Sequence, residues 1–565
     1  MSNRASLNHI YRSVWNSALG AMVAVAEISG GRGRSSGGAG GSGSCLQAPQ
    51  IPIASLGALC VGIAIVWGAA VSVTHANPTG GVAIVGQATM VTNGNQLVVT
   101  TQNGAGGNHS AINWQSFSIP AGSTTHFQQP SAASMVINRV VTNTPSVIFG
   151  TLSSNGNLVL VNQAGIAVGA GAIVDTAGFT ASSLRMTDAD AIAGRMRFGD
   201  GTLSATGVSV QGSILARSGD VVLIGSSVET GADALIQSPN GSTILAAGQQ
   251  IEITGRGLEG ISLQVQAPTD SAINLGTLNG DAVGIFAGTL RHSGVIQATA
   301  ATLEGGKVVL KALGQVEVGG QIGAIRQDGV GGQVHVTAQD VVLKSGALID
   351  VSGPAGGGEA LIGGGWQGHD TRLTNARTAT AETGSVIKAN AADRGNGGTV
   401  VVWADESTRV GSRIEARGGA QGGDGGSVET SGKGRLVFRA SVDTSAPHGK
   451  AGFLLLDPQD ILIVGGTGGT HDAMLSDNQI LASEPDTSTD VTISEFALEG
   501  LSGNVTLIAS RDVILGNLAD NVLDMNLVTG GSTFTLTAGR DITGLADVND
   551  RIQPRLSIRS LKALA

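Results

Sequence analysis

The chain is poor in the residues that usually stabilise an exported domain. It has two cysteines, Cys45 and Cys60, and a single tyrosine, and aromatic residues make up 3% of its 565 positions. Both cysteines lie within the first 76 residues, so a disulfide framework is excluded for the rest of the chain. The lack of aromatic residues also argues against stacked β-sandwiches, whose cores are richer in them. Stability must therefore come from extensive packing or hydrogen bonding.

Glycine and aliphatic residues are abundant instead. The chain has 88 glycines, and 41% of its residues are hydrophobic. From residue 77 onward, short apolar or alternating segments begin at Gly or Asn turns, among them QLVVTTQ, NLVLVNQ, GDVVLIG, GKVVLKA and GTVVVWA. Such segments predict strands bounded by turns. Imperfect repeats of about 20 to 30 residues predict a solenoid. The predicted fold is all-β, a right-handed parallel β-helix.

Residues 1–76 differ from the rest of the chain. They contain four arginines and one acid, then a Gly/Ser-rich stretch and an apolar run from Ile51 to Val73. This order predicts a secretory signal, with cleavage between Ala76 and Asn77. A membrane anchor is the alternative, because the apolar run is long enough to span a bilayer. Beyond Ala76 remain 28 basic and 41 acidic residues, a formal charge of −13. That charge argues against nucleic acid as a partner.

No motif for catalysis, metal binding or a cofactor stands out. The stretch 426–434, GSVETSGKG, lacks the spacing of a phosphate loop, and 418–426, GGAQGGDGG, is not an iterated calcium repeat. Asp188 and Asp190 could share a strand face, which keeps a β-helical polysaccharide lyase or hydrolase open as an alternative. We predict no enzyme activity, no metal and no cofactor.

Histidine and tryptophan side chains are the other candidates for a binding site. The pairs His369-Asp370 and His471-Asp472 are interpreted as solvated turn residues. The tryptophans Trp114, Trp366 and Trp403 are predicted to pack in caps or in segments that leave the β-helix. Exposed platforms for carbohydrate are the alternative role for these three.

Two regions resemble known families. The segment 8–27, NHIYRSVWNSALGAMVAVAE, resembles the extended signal peptide of very large exported proteins of Gram-negative bacteria. Between Ala111 and Leu184, the series INWQSFSI, HFQQP, INRVV, PSVIFGTLSSNGNLVLVNQAGI and GFTASSL resembles the amino-terminal secretion domain of the filamentous haemagglutinin family. These proteins are the exported partners in two-partner secretion. The ordered set of motifs is specific, whereas each motif alone is weak.

The resemblance implies a partner and a set of site residues. In that family, periplasmic recognition modules of an outer-membrane β-barrel transporter bind the domain, and the chain folds as it emerges. The family motif Asn-Pro-Asn-Gly-Ile aligns with residues 162–166, where Gln and Ala replace Pro-Asn. Losing proline removes a preset turn dihedral. The candidate secretion motif comprises Asn138, Arg139, Val140, Asn155, Gly156, Asn162, Gln163, Ala164, Gly165 and Ile166.

The expected organisation has four parts. Residues 1–76 form the signal region, 77–320 the secretion domain, 321–463 a β-helical body with an excursion near 354–396, and 464–565 a further β-repeat region that is expected to be truncated. The resemblance implies a secreted or cell-surface adhesin that binds receptors or glycans on host or bacterial cells. The stem of a contact-dependent toxin or haemolysin-like protein that lacks its effector end remains an alternative.

Overall fold

The computed structural model describes residues 11–16, 21–26, 77–200, 206–299 and 306–457, together with short stretches between 460 and 554. The chain divides into two compact units, Met1–Val73 and Thr74–Ala565. In the first unit, strands β1 (Tyr11–Asn16) and β2 (Ala21–Ala26) pair antiparallel. Strands are numbered along the chain. The apolar run 51–73 and Ala76 lie outside the described residues. Among those described, no helix is both long and apolar enough to cross a membrane.

The second unit is built on one sheet of 37 strands that winds into a parallel β-helix with three faces, A, B and C. Each coil contributes one strand to each face, and each strand pairs in parallel with its counterparts in the coils before and after. The predicted β-helix is therefore confirmed.

Face A contains β5 (Gln96–Gln102), β7 (Thr124–Gln128), β10 (Thr151–Ser154), β13 (Ile173–Thr176), β17 (Ser213–Ala216), β25 (Val295–Thr299), β27 (Gln321–Ile325), β30 (Leu348–Asp350), β33 (Val386–Lys388), β36 (Arg413–Glu415) and β39 (Ser441–Asp443). Face B contains β6 (His109–Trp114), β8 (Met135–Val140), β11 (Asn157–Val161), β14 (Gly178–Ser182), β18 (Val221–Gly225), β28 (Gln333–Thr337), β31 (Glu359–Ile362), β34 (Thr399–Ala404), β37 (Ser427–Gly432), β40 (Phe453–Asp457), β43 (Asn504–Ala509) and β46 (Phe534–Ala538). Face C contains β9 (Ser146–Ile148), β12 (Ile166–Val168), β16 (Gly207–Val210), β19 (Ser227–Thr230), β23 (Ser271–Asn274), β29 (Asp340–Leu343), β32 (Thr378–Ala381), β35 (Ser407–Val410) and β38 (Arg435–Phe438).

Three long strands bend around corners and serve more than one face: β20 (Leu235–Ala247), β24 (Thr277–His292) and β26 (Lys307–Val318). At the amino-terminal end, β3 (Val82–Val85) and β4 (Gln87–Asn93) pair antiparallel with β6 and β5. Near the carboxyl end, β41 (Asp460–Val464), β42 (Asp490–Ser494), β44 (Asp512–Leu515) and β47 (Asp541–Gly544) form a parallel sheet, and β45 (Val522–Met525) pairs with β48 (Arg551–Pro554).

Aliphatic side chains fill the interior. Alternate residues of each strand point inward, so Val, Ile, Leu and Ala from the three faces meet in one continuous core. Its aromatic members cluster near the first coils, where Trp114 and Phe117 lie edge to face at 5.6 Å and Phe117 stacks on Phe127 at 6.2 Å. The narrow interior has room for few rings, which explains the aromatic-poor composition.

A second hydrophobic layer covers the outside of face B in the first coils. The chain leaves the β-helix after β14 and again after β20, and forms the antiparallel sheet of β15 (Met196–Phe198), β21 (Gln250–Ile253) and β22 (Ile261–Val265). The first of these segments also contains the short helix α1 (Asp188–Ala193). Outward side chains of face B, such as Ile137 and Val159, are buried against Phe198 and Ile251 in this layer.

The segment that leaves the β-helix is shorter than the excursion predicted near 354–396. Within that range, β31, β32 and β33 are regular strands of the β-helix. Only residues 363–377 leave it, and they include a short 3-10 helix, Trp366–Gly368. We call residues 363–377 the strap. The Gly-rich sequence suggested a loose segment, but Gly357 and Gly358 lie at a coil corner where adjacent backbones nearly touch.

Paired glycines mark these corners. Gly331-Gly332 and Gly397-Gly398 are 66 residues apart, and one further corner, Gly357-Gly358, lies between them. A Cβ at Gly398 would lie 2.1 Å from the carbonyl oxygen of Gly358, so the corner excludes every other residue. Ala360 follows the pair Gly357-Gly358 at the position where Val334 and Val400 follow the other two pairs.

Candidate functional site

Predicted site residues from two adjacent coils lie side by side on face B. Strand β8 carries Asn138, Arg139 and Val140, and it pairs in parallel with β11, which leads into the turn at residues 162–165. Arg139 is the register partner of Val161 on one side and of Asn113 on the other. The fold therefore places the Asn-Arg-Val stretch next to the Asn162 turn, although 22 residues separate Val140 from Asn162.

Asn138 belongs to the interior of the β-helix. It is fully buried, and its Oδ1 accepts a hydrogen bond of 2.9 Å from the indole Nε1 of Trp114. Its Nδ2 donates to the carbonyl oxygen of Val159 in the next coil at 3.3 Å. A buried indole N–H without a partner is costly, so Asn138 makes the burial of Trp114 tolerable. Val140 also points inward and is buried.

The turn at residues 162–165 is held by the side chain of Asn162, which is fully buried. Its Nδ2 donates to the carbonyl oxygen of Thr144 and to Oγ of Ser146, both at 2.9 Å, and its Oδ1 accepts from the backbone N–H of Ala164 at 2.9 Å. The N–H of Gly165 closes the turn onto the carbonyl oxygen of Asn162. The turn thus forms without the proline of the family motif, and Asn162 also ties it to the preceding coil.

Two members of the motif build the corner between faces A and B. The side-chain amide of Asn155 pairs with both backbone groups of Gln129, with distances of 2.7 and 2.8 Å. Gly156 is buried beside the same residue, and a Cβ there would lie 2.7 Å from Cδ of Gln129. The Nε2 of Gln129 then donates to Ser154 and Asn157. These contacts stack one coil on the next, at a corner separate from the Asn162 turn.

Arg139 points outward into a surface cavity of about 420 Å³. Its side chain is 11% exposed and forms an ion pair with Asp188 at the start of α1. The cavity is lined by Asn113, Arg139, Val140, Val141, Thr142, Asn143, Val161, Gln163, Arg185, Met186 and Asp188. It therefore brings Arg139, Val140 and Gln163 together. Sequence reasoning missed Arg185, because only the return of the chain after β14 places it here.

The remaining motif residues lie in the turn or in the strand that follows it. Ile166 is buried in the core, Ala164 is half-buried in the turn, and Gln163 is exposed. The carbonyl oxygen of Gln163 accepts a hydrogen bond of 2.6 Å from Thr206. At the predicted cleavage point, Asn77 donates to the carbonyl oxygen of Asn95 at 3.0 Å.

The carboxylates considered for catalysis do not face one another across a cleft. Asp188 pairs with Arg139, and Asp190 pairs with Arg195 at 2.8 Å. Burial raises the pKa of Asp190, but hydrogen bonds from Thr187 and Arg195 outweigh it and leave that pKa lowered. A lowered pKa suits an ion pair rather than a general acid. Within the part of the chain that the structure describes, no group of three His, Cys, Asp or Glu residues could hold a metal ion.

The other motifs lie in the β-helix or in the strap. The stretch 426–434 lies in β37 and its turn, and Asp370 is held by Arg372 with distances of 2.6 to 3.2 Å. Trp114 and Trp403 are buried, and Trp366 packs in the strap. Packing of the tryptophans is thus confirmed, but Trp114 and Trp403 lie in the regular strands β6 and β34, and only Trp366 lies in a segment that leaves the β-helix. His471 and Asp472 lie outside the described residues.

The fold and the signal region define an exported β-helical protein, and comparison with known proteins specifies it further. Residues 74–326 match the TPS secretion domain, and residues 8–56 match the extended signal peptide of type V secretion systems. The crystal structure of the HMW1 secretion domain from Haemophilus influenzae is similar at 32% identity with a TM-score of 0.59. That match covers 66% of this chain and all of the solved one. The chain therefore belongs to the two-partner secretion exoproteins that carry this domain, and it is secreted or displayed at the surface of a Gram-negative cell.

Two curated relatives are similar over shorter stretches. One is a heme/hemopexin-binding protein of Haemophilus influenzae strain Rd, 33% identical over 106 residues, which are 19% of this chain and 11% of the relative. The other, a heme/hemopexin-binding protein of Haemophilus influenzae, is 33% identical over 78 residues, 14% of this chain and 8% of the relative. The chain thus spans only a small part of either relative.

Proposed function

We propose that this protein is an adhesin-like exoprotein whose residues 77–320 are recognised by an outer-membrane β-barrel transporter with periplasmic modules. The observation that supports this most is the likeness to a complete solved secretion domain, together with the Asn162 turn, which forms despite the altered motif. Residues 321–463 then form the β-helical body, and the segment 464–565 continues the β-repeats.

The physical properties of the chain suit this route. The residues after the signal contain no cysteine, so no disulfide obstructs passage of an extended chain through a pore. Each coil that forms outside buries apolar surface, which opposes return of the chain. Parallel pairing with the previous coil supplies backbone hydrogen bonds at once, so folding can proceed coil by coil.

The ten motif residues divide into two roles. Asn138, Asn162 and Ile166 are buried, so we assign them to formation of the coils. Asn155 and Gln163 are exposed, and the side chain of Gln163 remains available to a partner. Recognition by the transporter is therefore proposed to involve the exposed members, and folding after export the buried ones.

Secretion assays test this proposal directly. Deleting the transporter gene should abolish the protein in the medium and on the cell surface, while the precursor is still made. Gly165→Pro should also abolish secretion, because residue 165 has φ of 104° and donates its N–H to Asn162. Gly165→Ala keeps the N–H but is also strained at this φ, so it should lower the yield less than proline does. Undiminished secretion of the proline variant would contradict the role of this turn.

The adhesive activity needs a separate assay. Purified mature protein should bind epithelial cells or erythrocytes in a saturable way, and bacteria lacking it should adhere less. A parallel assay with haem and hemopexin tests whether the chain shares the activity for which the curated relatives are named. Binding to neither cells nor these ligands would leave the export function and remove the adhesin proposal.

A further inference from the structure

The cavity beside Arg139 holds more positive charge than the fold requires. The Nη2 of Arg139 contacts Asp188, whereas its Nη1 is buried and donates to no acceptor among the described residues. A buried donor of a charged group that lacks a partner costs free energy. A ligand that accepts from this guanidinium would recover that cost.

Arg185 adds a second guanidinium to the same cavity. It is exposed, and within the described part of the chain its guanidinium forms no hydrogen bond or ion pair; only its backbone carbonyl oxygen is bonded, to the N–H of Gly199. Most other arginines of the secretion domain pair with a carboxylate, for example Arg195, Arg197 and Arg217. Arg185 is therefore not needed to hold neighbouring elements in place.

Asp188 is a weak counter-ion for this pair of cations. Its side chain is 75% exposed, while that of Arg139 is 11% exposed. An ion pair with one partner so exposed contributes little to stability, because water screens the carboxylate. A carboxylate that enters the cavity and is shielded from water can replace Asp188 at Arg139.

The rim of the cavity is apolar on one side. Val141 supplies this apolar surface, since it is 55% exposed, whereas Val140, Val161 and Met186 line the cavity but are buried. Arginine clusters beside apolar surface are a recurring arrangement for recognition of acidic peptides. No aromatic side chain lines the cavity, which is unlike sites that stack a sugar ring.

We propose that this cavity binds an acidic peptide segment of a protein partner. A carboxylate of the segment accepts hydrogen bonds from Arg139 and Arg185 and displaces Asp188, while an adjacent apolar side chain covers Val141. The site belongs to the folded domain after export, so it goes beyond recognition by the transporter and does not depend on it.

Fluorescence anisotropy with the full mature chain tests the proposal. The probe is a labelled Glu-Val-Glu-Val-Glu-Val peptide, and the reference is the same peptide with Gln in place of Glu. We expect Arg185→Gln to weaken binding of the acidic peptide about 10-fold, the effect of losing one charge-assisted hydrogen bond. Asp188→Asn should tighten binding about 3-fold, because it removes the competing carboxylate.

Matched controls separate binding from folding. Arg217→Gln removes another exposed arginine, which pairs with Asp175 on face A, and it should leave binding unchanged. Because the guanidinium of Arg185 has no partner in the described structure, Arg185→Gln should keep the thermal unfolding midpoint of the wild type.

Equal affinity for the acidic and Gln peptides, or weaker binding of the acidic peptide by Asp188→Asn, would overturn the proposal. Tighter binding of glucuronate or inorganic phosphate than of the peptide would also overturn it. Normal secretion of all these variants would leave the proposed export function intact.

Discussion

The coils of the secretion domain and those of the body hold their corners in different ways. In the former, amide side chains join successive coils, as the exposed Asn155 joins Gln129 and the buried Asn162 joins Thr144 and Ser146. In the latter, paired glycines let backbones approach, and the N–H of Gly398 donates to the carbonyl oxygen of Ala389 at 2.7 Å. Side-chain bonds depend on one residue at one position, whereas backbone bonds repeat from coil to coil.

The outer surface of face B differs between the two regions as well. In the secretion domain it is covered by the antiparallel sheet of β15, β21 and β22. In the body it is covered by the strap, where Trp366 packs near Trp403 and lies edge to face with Phe453 at 5.6 Å. Both covers protect an apolar outer face from water, but they are unrelated in structure. The β-helix thus tolerates different insertions at the same position of a coil.

The largest loss of stability is expected for a substitution that disrupts a backbone corner in the body. Gly398→Val should destabilise the surrounding coils by roughly 4 kcal/mol or more, because the new Cβ would lie 2.1 Å from the carbonyl oxygen of Gly358. Hydrogen exchange should accelerate in residues 389–432 and remain unchanged in residues 109–168. Gly319→Ala, whose nearest neighbour would lie at 3.6 Å, is the control and should show little change. Similar protection in both variants would show that the corner is less tight than the structure indicates.

The next largest loss of stability is expected for a substitution at a corner of the secretion domain that is held by side-chain hydrogen bonds. Asn162→Asp should cost about 3 kcal/mol, because a buried carboxylate cannot donate to Thr144 or Ser146. Exchange should accelerate around residues 144–168, and the body should keep its protection. The exposed Asn155→Asp serves as the matched control and should cost about 1 kcal/mol. Equal losses of stability in the two variants would contradict the special role of the buried amide.

A third prediction uses the buried histidine of the secretion domain. His292 is fully buried, bonded to Asn274 at 3.0 Å, and burial lowers its pKa to about 4 from the ordinary value of 6.5. The unfolded chain therefore takes up a proton below pH 6.5, and the folded chain does so only near pH 4. Stability should fall by up to about 3 kcal/mol as the pH decreases from 6.5 to 4.

Urea unfolding at several pH values measures this effect. His292→Gln should flatten the decline between pH 6.5 and 4, because the variant lacks the titrating group. His126→Gln, on the outer surface of face A beside Ser153, is the control for loss of a histidine as such. If the His292 variant retains the full decline, other groups of the domain cause it.

The smallest effect concerns the strap. Asp370 accepts hydrogen bonds from Arg372 that lower its pKa to about 2, so this contact is fully present above pH 4 and is lost as the pH falls through about 2. Asp370→Asn should weaken the strap by about 1 kcal/mol or less, since Arg372 is 63% exposed. At pH 8, trypsin should cleave the variant faster after Arg372, with unchanged cleavage after Arg217. Unchanged cleavage at Arg372 would show that the apolar contacts of Trp366 alone hold the strap.

The sequence predicted the β-helix because its signals are local. Gly or Asn turns followed by Val, Ile and Leu recur in almost every coil, and the interior accepts those side chains in any order. The excursion was harder to place, because glycine signals both loose loops and tight corners. The pair Gly357-Gly358 forms a corner only because Gly331 and Gly332 of the previous coil lie against Gly358.

The candidate site was predicted in part. The Asn-Arg-Val stretch and the turn at residues 162–165 were identified as motifs, but their sequence positions did not show that Arg139 and Gln163 line one cavity. Arg185 carried no signal of its own. It reaches the cavity because the chain leaves face B after β14, and Asp188 reaches Arg139 by the same path.

By itself, the sequence determined the export signal, the repeating strands and the family to which the chain belongs, since these depend on residue order and on short periodic patterns. Only the tertiary structure decided which side chains are buried in the coils and which remain at the surface. It also decided that two arginines from different coils share one cavity. The physical reason is that stacking of coils sets neighbours about 20 to 50 residues apart in sequence side by side, and no local pattern records that register.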